Sequence, residues 1–198
     1  MQKLFLFLLL VCFIFFSACH SRENAQPAIT QNTGDSINIF PVTSFLKAQL
    51  RSLDTLPVTP LETISQNGKI DSTWLKREDI RKNATPFLSP EIDSGTMYSL
   101  FTEKSFLDQT INAFTFSYDP KGELPDSVHL THWDVYMNPE TKSIQRIYMV
   151  KQMNEGNQAI TTQLTWLVNK WYSIRTITEI QGHEAEVKEE KMIWNFDN

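Results

Sequence analysis

Four histidines, two cysteines and a cluster of glutamates are the side chains of this chain best suited to metal binding or to acid, base and nucleophilic work. His129 and His132 have the look of a metal pair. On a strand, however, positions three apart face opposite sides, so the two rings are expected to diverge. Zinc needs three or four converging ligands. No thiolate remains to help if both cysteines serve export and lipid attachment, and no metal site is expected. Glu184, Glu186, Glu189 and Glu190 interleave with Lys188 and Lys191. They read as a solvated strand face or as charge protecting a sheet edge; a hard-cation site would need their oxygens to converge. There is no Gly-x-Ser-x-Gly elbow, no phosphate-cradling glycine loop and no His-Glu-x-x-His. Triads and carboxylate dyads can assemble from distant positions. Nothing here names one, and neither a catalytic residue nor a cofactor is assigned.

The two cysteines have a different chemistry. Met1-Gln2-Lys3 begins the chain with positive charge, every residue from Leu4 to Phe16 is apolar, and Ser17-Ala18-Cys19 follow. A charged start, an apolar stretch of about 7–15 residues and small residues before a cut define a secretory signal. The stretch is shorter than the roughly 20 apolar residues of a permanent span. Phe16-Ser17-Ala18-Cys19 resembles the lipobox of bacterial lipoproteins, with Phe16 standing where Leu, Val or Ile is commoner. The resemblance covers Met1 to Cys19 alone. It implies that the Cys19 sulfur receives a diacylglycerol and that the chain is cut just before it. Two or more acyl chains anchor stably where one does not, so lipidated Cys19 is expected to hold the rest on a membrane without a transmembrane helix. Cys12 would leave with the signal, and the remainder would have no disulfide.

That remainder has the size of one ordinary domain. Lys3 is the only charged side chain before Cys19, so the rest is one charge more acidic than the −5 of the whole. A weakly acidic chain argues against nucleic acid as a partner and against a polybasic membrane-surface role. His20 to Ser36 is polar and reads as a flexible tether, giving a signal over 1–18, a tether over 19–36 and one domain over 37–198. No acidic cluster follows Cys19, which tilts the placement toward an outer membrane, facing the periplasm. Asp35-Ser36-Ile37, Asp54-Thr55-Leu56, Asp71-Ser72-Thr73 and Asp126-Ser127-Val128 are similar to an O-glycosylation acceptor motif of some Gram-negative bacteria. Ser36, Thr55, Ser72 and Ser127 are therefore candidate acceptors, Ser36 foremost; otherwise these pairs open turns or caps.

The elements that would position all this come from periodicity. Val42, Phe45, Leu46, Leu50 and Leu53 fall on one helical face over Pro41–Leu53. Leu61–Leu75 predicts a hairpin turning at Asn67-Gly68. Arg77–Leu88 predicts a helix that bends or restarts at Pro86. A shorter helix after Ser94-Gly95 carries Met97, Leu100 and Phe101. From Ile111 the texture becomes alternating segments with short turns, which predicts an antiparallel meander of about six strands. Helices and a hairpin before a run of strands imply an α+β domain. Apolar residues on both faces of several strands suggest a strongly curved sheet with helices in its concave side.

Three functions are compatible with these features. The foremost is a non-enzymatic, lipid-anchored module binding an envelope protein or a cell-wall component. The alternative is a carrier or sensor of a lipid or other apolar ligand inside the curved sheet, lined by Trp133, Trp166, Trp171 and Trp194, although aromatics also simply fill cores. The third is a hydrolase with an unfamiliar site.

Overall fold

The computed structural model describes residues 40–93 and 95–197. The chain divides into two units, Met1–Asn38 and Ile39–Asn198, and every element named below belongs to the second. That unit is largely β. Helix α1 (Val42–Leu53) leads into a hairpin of β1 (Leu61–Gln66) and β2 (Lys69–Trp74). Helix α2 (Arg77–Asn83), a 3₁₀ turn (Thr85–Leu88) and the short α3 (Gly95–Ser99) come next. Seven strands complete the chain: β3 (Phe101–Asp108), β4 (Ala113–Pro120), β5 (Leu130–Met137), β6 (Ile144–Glu155), β7 (Gln158–Leu167), β8 (Trp171–Ile180) and β9 (Glu186–Ile193).

All nine strands form one antiparallel sheet in the order β2-β1-β9-β8-β7-β6-β5-β4-β3. The expectation of about six meander strands is corrected twice. Phe101–Asp108 is a strand rather than the tail of a helix. It is an edge strand with most of its side chains in solvent, so burial never imposes a period-2 pattern on it. The hairpin, for its part, is not a separate unit. Leu61 pairs with Ile193 and Gln66 with Lys188, which adds β1 and β2 to the far side of β9. The sheet does not close, and β2 and β3 are its edges. β9 is thus an interior strand, and the reading of its glutamates as edge protection fails for that reason.

The hairpin turn is as expected. Asn67 and Gly68 have φ of 52° and 73°, a left-handed pair that Asn-Gly tolerates best and that matches strand twist. At the start of α1, Pro41 offers no side-chain cap. Asp93 takes that part from a distance. Its two carboxylate oxygens accept the Thr43 and Ser44 N–H groups, each at 2.9 Å, which satisfies two otherwise orphaned donors at the positive end of the helix.

One face of the sheet carries the core. Val42, Leu46 and Leu50 of α1, Ile80 of α2 and Phe87 of the 3₁₀ turn are buried together with Trp133, Val135, Ile147, Met149, Leu164 and Trp166. The rings pack in two groups. Trp133 stacks on Tyr118 with centroids 4.6 Å apart and meets Phe101 edge-on at 4.4 Å. Trp166 stacks on Tyr172 at 5.3 Å, with Phe87 edge-on at 5.4 Å and Trp194 at 5.5 Å. The Tyr172 hydroxyl donates to the Ile80 carbonyl at 3.1 Å, tying β8 to α2.

Candidate functional site

The four tryptophans are not brought together as the lining of one interior cavity, which corrects that expectation. Trp133 and Trp166 are fully buried against neighbouring rings, so the space is taken up by the protein itself. Trp194 joins the second ring group and borders a minor rim hollow beside Leu53 and Val58. Trp171 belongs to the opposite face, where the Lys191 ammonium sits 4.3 Å from its ring centroid. Among the candidate modification sites, Cys19 and Ser36 lie outside the described residues. The Thr55 hydroxyl, just past α1, donates to the Ser52 carbonyl at 2.8 Å. Ser72 is exposed on β2, and Ser127 is exposed in the turn before β5.

The histidines separate as their spacing requires, and one acquires partners. His129 is exposed ahead of β5, and His183 is exposed in the turn before β9. His132 lies on the sheet face away from the helices, with Asp134 and Tyr136 beside it on β5. Its Nδ1 is 2.9 Å from Asp119 Oδ1 on β4, and its Nε2 is 3.1 Å from Asp134 Oδ1. The second contact is an ion pair without hydrogen-bond alignment. The Tyr136 hydroxyl donates to Asp134 Oδ2 at 2.9 Å, and Lys104 reaches Asp119 at 3.0 Å from the edge strand. The carboxylates raise the His132 pKa, Asp134 more than Asp119, against the opposing effect of burial. Asp119 is lowered by His132 and then by Lys104. For Asp134, burial is the largest single influence and pushes upward. His132, Ser117 and Tyr136 together outweigh it, and the net shift is downward. Tyr136 is pushed up to about 12 by burial and by Asp134.

His132 thus stands between two carboxylates, which favour its protonated form. Both ring nitrogens face carboxylate oxygens, Nδ1 in hydrogen-bond alignment with Asp119 and Nε2 beside Asp134 without it. Its chemistry is that of a fixed charge cluster. Weighing His132 against His129, three positions back, hides it. The informative spacing is His132-x-Asp134-x-Tyr136, which puts all three side chains on one strand face.

On the helix side, Lys151 of β6 faces a polar hollow of about 410 Å³ shared with Glu62 and Glu190. Its ammonium donates to the Pro86 and Ser89 carbonyls and so pins the 3₁₀ turn to the sheet. Burial pushes it down to about 8, while the two carbonyls favour the charged form. Two of the acids near β9 are likewise engaged. Glu190 pairs with Lys188, and Glu186 accepts from Gln66 at 2.6 Å. No group of three or more metal-ligating side chains is found among the described residues.

A concavity of about 670 Å³ opens at the rim of the sheet. It is formed where strand ends meet. Strand β6 begins here, β7 ends here, and the β3–β4 turn and the outer side of α1 close the flanks. Phe45, Ile111, Ile144, Leu167 and Val168 supply apolar walls. Arg146 and Lys170 supply positive charge, and no carboxylate lines the cleft. Among the described residues neither cation is ion-paired. The Arg146 guanidinium lies 3.9 Å over the Tyr136 ring, whose hydroxyl is fixed on Asp134. The charge cluster therefore ends at the cleft wall. No helix among the described residues is long and apolar enough to cross a membrane. Comparison with protein-family models, with curated proteins and with solved structures finds no match in any of the three.

Proposed function

We propose that this chain is a lipid-anchored protein of the cell envelope, held through Cys19 to a membrane, the outer membrane facing the periplasm, and that it works there as a non-catalytic binding module. The lipobox-like residues before Cys19 support the anchor. The observation that carries the binding role is the rim cleft. A concavity of about 670 Å³ with apolar walls and cations lacking a counterion has the make-up of a ligand site, which is concave, mostly apolar and given a few oriented polar groups. The charge cluster around His132 supports the binding reading, because Asp134 fixes Tyr136 beneath Arg146 at the cleft wall. The carrier reading moves with the cleft. An apolar ligand would sit at the rim, since rings occupy the interior.

The test is site-specific crosslinking in intact cells. A photoreactive residue in place of Ile144, within the cleft, should yield a discrete adduct. One at Ser72 on the exposed edge should yield none. Equal, diffuse labelling from both positions would remove the binding role. Intact mass of membrane-extracted protein tests the anchor separately. Residue 1 still attached, or Cys19 without lipid, would end that part of the reading.

A further inference from the structure

The cleft's chemistry goes further than its shape. Resting on its role as the binding site, we propose that it takes an amphiphile with one anionic head and an apolar tail. The head would lie on Arg146 and Lys170, and the tail on the Phe45, Ile144 and Leu167 walls. The cleft brings two cations and no acid into an acidic protein, so its local sign opposes that of the whole chain. Arg146 is pre-organised for such a head. Its guanidinium carbon lies 3.9 Å from the Tyr136 ring centroid, which holds the group at the cleft wall, and a guanidinium is the cation that meets a carboxylate or phosphate through paired N–H donors. Tyr136 is itself immobilised by Asp134, and Asp134 by His132. Arg146 also exerts a field on Asp108. Asp108 Oδ1 already accepts the Thr110 N–H and hydroxyl. A cationic or neutral ligand of the same shape would leave the two charges facing a desolvated, uncompensated wall, which is costly.

The experiment uses the full chain purified from membranes into discs of neutral phosphatidylcholine. The probes are a twelve-carbon carboxylate bearing a diazirine and its trimethylammonium counterpart. Adducts are mapped by peptide mass spectrometry. The carboxylate should label the 138–147 and 167–170 segments, and the ammonium probe should not. In R146Q/K170Q, with an unchanged melting temperature, labelling by the carboxylate should fall about tenfold, the loss expected for charge-assisted contacts. Competition by phosphatidylglycerol in the disc would assign the head to a membrane lipid, and competition by decanoate alone to a free amphiphile; either supports the shared chemistry. Equal labelling by both probes overturns the charge selectivity while leaving a cleft that binds. Labelling of neither segment by either probe overturns both this inference and the binding role assigned to the cleft.

Discussion

Alternate residues of the same strands build two faces that are held by different physics. Toward the helices, Trp133, Val135, Ile147, Leu164 and Trp166 are sealed by a second layer, and ring packing and burial do the stabilising. Toward solvent, no described helix covers the strands. There His132, Asp134, Tyr136 and Arg146 order one another through charge, hydrogen bonds and stacking, and Lys191 lies over Trp171. The first face sets whether the domain folds. The second, ordered without a covering layer, leaves its rim accessible, and that is where the concavity lies.

Substitutions at neighbouring positions test this contrast. Trp166→Ala should lower stability by about 3–5 kcal/mol in denaturant titrations. Thr165→Ala, one residue away on the other face, should move it by about 0.5 kcal/mol or less. Comparable losses would mean that both faces are held by the same burial. Lys151→Met should cost about 1–3 kcal/mol, because two carbonyls lose their donor. It should also speed amide exchange in the 3₁₀ turn at Phe87 and Leu88. Unaltered exchange would show that the turn is held by Phe87 packing alone.

The open face should betray itself through pH. The folded pKa of His132 is raised above the ordinary 6.5, so its stabilisation is complete below that value and is lost as pH rises through the folded one. Asp119 and Asp134 lie below the ordinary 3.8, so their share is present above that value and disappears as pH falls through their folded ones. The gap in melting temperature between wild type and H132Q should therefore be widest from about pH 4 to 6.5 and shrink toward pH 9. A gap constant from pH 5 to 9 would reduce His132 to a neutral packing residue. The smallest effect belongs to the far side of the same face. A double-mutant cycle of Trp171→Leu and Lys191→Met should show coupling of about 0.5 kcal/mol, and zero coupling would discount the stacking.

Legibility from the chain divides along the same line. Buried elements announce themselves. Helix α1 shows in its apolar spacing and the hairpin in Asn67-Gly68. Where burial is one-sided or absent, the pattern is silent, as in edge strand β3. Pairing of β1 with β9 is equally hidden, because no local property of Leu61–Gln66 specifies a neighbour so remote in sequence. The cleft combines turns, strand ends and a helix, and composition alone cannot bring its cations together. His132 stands out in the sequence, yet its partners do not. Asp134 is two positions on along the same strand, but Asp119 arrives from β4 only through register.

The joining of β1 to the last strand has a temporal consequence. A chain emerging amino end first presents its hairpin well before β9, with an open edge and no neighbour to receive it, and must keep it waiting until residues 186–193 have appeared. Assembly of that flank is thus deferred until β9 has been made, and a chain cut short before β9 would leave both the hairpin and β8 with bare backbone edges.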